Sequence, residues 1–549
     1  VSENEKSVLI KSTLILTIAI IFSKVLGFIY VSPFNAMVGN SGYILFEYAY
    51  KPYAIMLSLA TMGLPLAVSK FVSKYNELGD YRLGRTMLKK GMILLTATGF
   101  VWFVILYIAA PTIAQSLVGN NDGTGNSIDE VVFVIRMISV ALIIVPPMAL
   151  LRGFFQGYQN MTPTGSSQII EQLVRVIFIL GGTIVVLYVF HGSIHVAVGF
   201  ATFAAFIGAV AGMWILLKHW NKERPNMNQL LEHNRSVGNM STWNIFKELV
   251  SYAIPFVAVG LAIPLYQGAD TFMVNEALMS VQYSLGEAEV VNSVIALVQK
   301  VILIPVSLAT AFGLTLVPTI TKSYVSKNTE LMHTQINKTF QVILFLTIPA
   351  IAGLMALSTE IYALMFGTSN LKLGGELMWW YAPVALFYSL FTITAAILQG
   401  MNKQNMAVLS LGIGFIVKIL LNVPLIHHFE SIGTVLSTNI GFGITIFINL
   451  WIIKKEVKYS YRSVCYQLGY VMGLTLIMVG AIYIVKWVDT DLVSFVKPLY
   501  VQYAIKALLG VSIGGFVFLV ASIQTPLFRQ VFGNKYLFLD KLKVLKGDS

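Results

Sequence analysis

Apolar runs of roughly twenty residues, each closed by charges or turn residues, follow one another along the whole chain. They can be drawn at 12–34, 43–69, 87–112, 131–153, 164–189, 194–218, 247–272, 290–318, 337–357, 376–399, 405–426, 432–453, 463–486 and 499–523. Each is near the ~20 residues a helix needs to cross the hydrocarbon core of a bilayer. The pattern predicts an all-α polytopic membrane protein of about fourteen transmembrane helices. The first run is too long for a cleaved signal peptide and lacks a small-x-small cleavage site, so it reads as a retained first helix.

The two halves resemble each other. VSKYNEL (72–78) follows the second run and VSKNTEL (325–331) the eighth, with MGLPL (62–66) and FGLTL (312–316) just upstream. FQGYQN (155–160) and LQGMNK (398–403) each close the fourth run of a half. With this register Arg175 falls opposite Lys418, and equivalent helices keep the same direction across the membrane, as in a parallel repeat. The expected layout is an N-lobe at 1–218, an inter-lobe linker at 219–246 and a C-lobe at 247–453, two pseudo-symmetric six-helix lobes. An extra helix pair at 454–523 and a tail at 524–549 follow. The linker, with Trp220, Pro225 and Trp243, is expected to lie partly as an amphipathic helix on the inner surface. Prolines fall in particular runs, Pro52 and Pro65, Pro146 and Pro147, Pro255 and Pro264, and Pro305, which suggests bent helices around a cavity.

Composition agrees with this picture. The 549 residues are 56% hydrophobic and only 11% charged, and mean hydropathy is +0.76. A net charge of +12 would suit a nucleic-acid binder, but the basic residues sit between apolar runs and form no basic domain. They mark topology instead: most fall on one side of the drawn spans, and only Lys372, Lys486 and Lys497 on the other. That bias places both termini in the cytoplasm. Cys465 is the only cysteine, which excludes an internal disulfide. There is no Walker A or G-x-S-x-G motif.

Seven cations remain inside spans: Lys24, Lys51, Arg136, Arg175, Lys300, Lys418 and Lys506. Three clear acids accompany them, Glu47, Glu171 and Asp270. An ammonium at mid-helix costs about 3 kcal/mol on insertion scales, so it faces a polar cavity, pairs, or snorkels. Glu47 with Lys51, and Glu171 with Arg175, are spaced to pair on one helix face. Arg136, near a span end, reads as snorkelling. Lys24 and Lys300 have no comparable acid nearby in sequence. A phosphate or pyrophosphate compensates several desolvated cations well, so an anionic, bilayer-sized substrate fits better than a cationic drug. His191 and His195 lie in an outer turn without a nearby carboxylate in sequence, a poor metal pattern. GAVAG (208–212) and GVSIG (510–514) are patterns for close helix packing.

FSKVLGF (22–28) resembles the first-helix signature of MurJ-type lipid II flippases, members of the multidrug/oligosaccharidyl-lipid/polysaccharide exporter superfamily with its MATE-like fold. Lys24 stands where that family usually has arginine. QKVILIPVSLATAFGLTLVPTITK (299–322) resembles the family's eighth helix, with Lys300 at the place of a basic residue, and YKPY (50–53) resembles its Lys-x-Pro region around Lys51. The similarity covers the whole chain, and it looks closest to the Gram-positive, staphylococcal-type branch. It departs from the proteobacterial pattern where lysines replace arginines and where Tyr30 replaces a second arginine, so a lysine point charge stands in for a bidentate clamp.

The resemblance implies a bacterial plasma-membrane transporter, not an enzyme. It would move undecaprenyl-pyrophosphate-linked disaccharide-pentapeptide from the inner to the outer leaflet by alternating access. Its implied partners are lipid II and membrane lipids, it would act as a monomer, and it would work alongside the cell-wall synthesis machinery. Lys24, Lys51 and Lys300 would hold the pyrophosphate in a cavity between the lobes, with Glu47, Glu171, Arg175, Lys418 and Lys506 lining or pairing, and the lipid tail along the extra helices. No cofactor is implied; membrane potential, or a monovalent cation at Asp270 with Asn422, would bias the cycle. The rival readings are a flippase for another polyprenyl-linked glycan, a cation-coupled multidrug antiporter of the same superfamily, and a membrane scaffold that does not transport.

Overall fold

The computed structural model describes residues 22–23, 25–61, 64–119, 123–232, 257–492, 498–525 and 528. Among these there are seventeen α-helices and no strand. Eleven helical stretches are long and apolar enough to span a bilayer. They coincide with the expected third to sixth and eighth to fourteenth runs. Of the other three, 12–34 and 247–272 lie partly outside the described residues, and 43–69 is helical throughout its described residues, 62–63 lying outside them. By its internal contacts the chain divides into two compact units, Val1–Ala296 and Leu297–Ser549.

The first unit contains α1 (Val31–Thr61), α2 (Leu64–Glu77), α3 (Tyr81–Val118), α4 (Ile128–Ser139), α5 (Ala141–Gly157), α6 (Thr162–Ile184), α7 (Ile194–Glu232) and α8 (Ala262–Met279), and the start of α9 (Leu285–Val325). The chain breaks its helix at Gly39, where φ 68° and ψ −178° suit a residue without Cβ. This is where the expected first and second runs part. Helices α2, α3, α5 and α7 share a core around Val72, Leu95, Leu151, Phe154 and Phe155. The stretch 219–232 of the expected linker is helical and continues α7 through Pro225. Met227 is buried in that core, Trp220 packs on Phe154 with centroids 5.7 Å apart, and Arg85 donates to Asn228 at 2.5 Å. Residues 233–246 of the expected linker lie outside the described residues.

The second unit continues with α10 (Thr329–Ala356), α11 (Ser358–Phe366), α12 (Leu371–Tyr381), α13 (Val384–Gly400), α14 (Gln404–Phe429), α15 (Ser431–Val457), α16 (Arg462–Leu492) and α17 (Leu499–Ile523). The last two helices, the expected extra pair, dock through Val471, Met478, Ile482 and Phe518 onto Phe345 and Leu357. GVSIG serves this docking: a Cβ at Gly510 would lie 2.7 Å from Leu357 Cδ2, and one at Gly514 2.8 Å from Ile482 Cδ1.

The repeat is visible in backbone detail, but its register differs from the one read from the VSK strings. Gln159 and Asn402 both adopt left-handed conformations, φ 57° and 59°, and close the same turn, with Gln159 N donating to Gln156 O and Asn402 N to Gln399 O. In the first unit VSKYNEL lies within and just beyond α2, the left-handed residue is Gly79 (φ 81°), and Asp80 caps α3. In the second unit the left-handed residue is Lys327 (φ 54°), inside the VSKNTEL string, and Asn328 caps α10. The equivalent positions are therefore 79 with 327 and 80 with 328. The packing agrees: a Cβ at Gly157 would meet Val72 and Ser69 O, and one at Gly400 would meet Ile320 and Val317 O. The matched strings are displaced because the turn, and not the letters around it, recurs.

Pro146 and Pro147 lie buried inside α5. Pro146 has no N–H for the carbonyl of Leu142, and α3 brings Gly99 against that oxygen. An ideal Cβ at Gly99 would stand 2.3 Å from Leu142 O, so only glycine lets the two helices meet there. Gly99→Ala should therefore cost about 1–3 kcal/mol through backbone displacement. The open-space control Gly412→Ala, with nothing within 4 Å of its Cβ, should be neutral or mildly stabilising. Thermal unfolding of the purified protein in detergent checks the pair.

Candidate functional site

Lys24, the first cation of the FSKVLGF stretch, lies outside the described residues. The helical residues that follow it pass close to α6: a Cβ at Gly27 would be 3.1 Å from Gln172 Nε2. Gln172 follows Glu171, so the first-helix motif runs beside a charged cluster within the spans of the first unit.

That cluster is a triad. Glu171 Oε1 takes Arg175 Nη2 at 2.5 Å, one turn along α6, and Oε2 takes Arg152 Nη2 at 2.7 Å from α5. Ser167 joins them, accepting from Arg152 Nη2 at 2.7 Å and donating to Gly212 O at 2.9 Å. The helices approach closely enough only because GAVAG carries no side chains at its ends. A Cβ at Gly208 would be 2.8 Å from Glu171 O, and one at Gly212 3.2 Å from Glu171 Cβ. Two guanidiniums on one carboxylate leave one positive charge in excess. Arg152 closes the α5 end of the triad. Its partner is 19 residues away, beyond the reach of an i,i+4 search.

Lys51 forms a second cluster on α1. Its Nζ lies 3.2 Å from Glu47 Oε2, the i,i+4 pair, and 3.2 Å from Gln267 Oε1 on α8. Tyr43 donates to the other Glu47 oxygen at 3.3 Å. Asp270, one turn beyond Gln267 on α8, is almost fully buried. Nearby lies a network that sequence reasoning missed. Glu289, at the start of α9, is buried and accepts from Asn126 N at 3.0 Å, Asn126 Nδ2 at 2.8 Å and Tyr48 OH at 3.3 Å. Asn275 donates to Tyr48 OH and, at 2.9 Å, to Leu117 O, and Asn292 donates to Asn275 at 3.0 Å. Glu289 stands one position before the eighth apolar run, outside the spans drawn from the sequence. Its signal was Asn292 three residues on, on the same helix face.

In the second unit Lys300 is half-buried on α9, beside Gln299, whose amide donates to Tyr381 OH at 2.9 Å. Lys418 is fully buried and donates to Thr438 at 2.9 Å. Asn422, one turn on, accepts from Ser437 at 2.9 Å. Asp270 belongs to the first unit and Asn422 to the second. Lys506 is half-buried on α17. Arg136 is at the surface, 4.7 Å from the Tyr107 ring centroid. His195 meets a carboxylate from another helix, Glu130 at 3.1 Å; among the described residues no group of three His, Cys, Asp or Glu could hold a metal.

Because the triad shares one carboxylate between two arginines, Glu171→Gln should cost about 3 kcal/mol, leaving two buried cations uncompensated. Arg175→Gln, which leaves the Arg152–Glu171 pair intact, should cost clearly less. Chemical or thermal unfolding of both variants measures the difference.

Comparison with known proteins completes the picture. Residues 9–324 match the family described as Polysaccharide biosynthesis protein, and residues 255–423 match MatE. The chain is 44% identical over 531 residues to the lipid II flippase MurJ of Bacillus subtilis (strain 168), covering 96% of this chain and 97% of that protein. It is 27% identical over 535 residues to the uncharacterized membrane protein YabM of the same organism, covering 96% and 94%. Among solved structures, lipid II flippase MurJ in an inward closed conformation shares the fold, with a TM-score of 0.63, 15% identity, and coverage of 96% of this chain and 100% of that one. With identity and coverage of this extent, the chain is a multi-pass membrane protein that belongs to the MurJ lipid II flippase family.

Proposed function

We propose that this protein carries lipid II, the polyprenyl-pyrophosphate-linked precursor of peptidoglycan, from the inner to the outer leaflet of a bacterial cell membrane. The observation that carries the reading is the 44% identity to a lipid II flippase over nearly the full length of both chains. Basic chemistry within the spans supports it, since a pyrophosphate needs several cations in a place that water reaches poorly.

In this reading Lys24, Lys51 and Lys300 hold the pyrophosphate. Glu47 and Gln267 keep the Lys51 ammonium in place between visits of the substrate. The Lys/Arg bias puts both termini in the cytoplasm. The lobes, 1–218 and 247–453, alternate between inward and outward access, and the membrane potential biases the cycle by up to about 2.3 kcal/mol per charge per 100 mV. The protein needs no cofactor and works as a monomer beside the enzymes that polymerise its product. A monovalent cation at Asp270 with Asn422 is the second candidate for coupling.

Lys24→Ala and Lys300→Ala should each abolish the appearance of lipid II in the outer leaflet when they replace the native copy, at normal protein level and insertion. Normal exposure of lipid II in both variants would sink the assignment. For Lys51 the informative variant is Lys51→Ala combined with Glu47→Gln, which removes the cation without leaving a buried carboxylate behind. It should lose transport and keep its melting temperature within a few degrees of Glu47→Gln alone.

A further inference from the structure

An open cavity of about 730 Å³ lies in the second unit where the first turns of α10 meet the turn between α15 and α16. Arg462, Ser460, Ser463, His333 and Tyr466 line it, and none of its lining residues is acidic. Its wall is fixed by local hydrogen bonds. His333 Nε2 donates to Val457 O at 2.8 Å, which leaves Nδ1 as the second polar atom of the ring. Buried Tyr459 donates to Asn337. Arg462, in contrast, is exposed and makes no hydrogen bond or ion pair among the described residues.

Positive charge predominates on the turn between α15 and α16. Residues 454–462 carry Lys454, Lys455, Lys458 and Arg462. The single acid among them, Glu456, is held by Lys403 at 2.9 Å, and its carboxylate keeps the Lys403 ammonium above its ordinary pKa. Tyr466 also belongs to a second cavity, about 660 Å³, that runs along α16 past Gly469, Tyr470 and Gly473 to Ile477. A Cβ at Gly469 or Gly473 would meet nothing within 4 Å, so the two glycines leave the groove unfilled. A cationic, hydroxyl-rich pocket and an apolar groove thus lie side by side, with one tyrosine lining both. That is the shape of an amphiphile.

We propose that this pocket binds the phosphate headgroup of an anionic glycerolipid of the surrounding bilayer, with one acyl chain in the α16 groove. The Arg462 guanidinium takes the phosphodiester oxygens, the Ser460 and Ser463 hydroxyls donate to them, and Tyr466 marks the passage from headgroup to chain. Basic pockets at the ends of transmembrane helices recognise such headgroups by the same combination of charge and depth. The site rests on the topology proposed above only in its leaflet, which is the inner one. Its existence depends on the cavity alone.

The test is native mass spectrometry of the full-length protein titrated with phosphatidylglycerol or phosphatidylcholine in mild detergent, a readout that involves no transport. The wild type should retain phosphatidylglycerol in preference to phosphatidylcholine. Arg462→Gln should lower phosphatidylglycerol occupancy about fivefold, while Lys327→Gln, a basic residue in another turn, should leave it unchanged. Equal retention of the two lipids, or equal losses in the two variants, would overturn the proposal in favour of general surface charge. Displacement of phosphatidylglycerol by millimolar inorganic phosphate would reassign the pocket to a free anion. Displacement by polyprenyl pyrophosphate would reassign it to the transported lipid and overturn the glycerolipid. A variant that loses phosphatidylglycerol yet still exposes lipid II in the outer leaflet supports both readings, and failure of transport in the wild type would touch only the proposed function.

Discussion

A charge inside an apolar span has to be matched by the protein itself, because water is not there to match it. Much of the first unit follows from that requirement. Arg152, Glu171 and Arg175 can share charge only if α5, α6 and α7 come within hydrogen-bonding distance, and Gly208 and Gly212 are what allow it. The glycines are therefore as much a part of the triad as the charges are. A small-xxx-small pattern alone would predict close helices; here the reason for the closeness is electrostatic as well as steric.

The two units use the same backbone device and fill it differently. Each closes its fourth run with a left-handed residue, and each caps the helix after the second-run turn with an Asx side chain. Carried forward along the turn register, Arg175 corresponds to Lys418, but the position of Glu171 is taken by Gly414. The second unit accordingly surrounds its buried lysine with hydroxyl and amide groups. Thr438 accepts from Lys418, Ser437 donates to Asn422, and Asn449 bridges Ser410 and Thr394. A carboxylate gives a strong, local match to a cation, whereas a seam of neutral dipoles spreads the match over several helices.

Most of the architecture was legible in the sequence because length and apolarity alone decide whether a segment can cross a bilayer. The i,i+4 pairs were legible for a similar reason, since a helix fixes which residues share a face. What the sequence hid were contacts between helices. Arg152 meets Glu171 only where α6 packs on α5, and Glu289 is closed over by Asn126 and Tyr48 from other helices and turns. The repeat was seen, but its letters misled. Similar strings at 72–78 and 325–331 are not equivalent in space, because a left-handed turn can be made by Gly79 in one unit and Lys327 in the other. Local conformation tolerates such a substitution far more readily than a packed helix face does.

The lengths of the ionic contacts separate two kinds of buried cation in the first unit. The triad distances, 2.5 and 2.7 Å, are those of tight charge-assisted bonds. Lys51 sits at 3.2 Å from Glu47 Oε2 and 3.2 Å from the neutral amide oxygen of Gln267. An arriving anion would gain little by breaking the first arrangement, since it would have to replace two short bonds to a carboxylate. At Lys51 it would exchange with longer contacts. Lysine suits that use better than arginine, because a compact charge on a flexible stem changes partners without losing a planar fork of bonds. The contrast makes the triad a fixture of the fold, while the Lys51 contacts are the looser of the two.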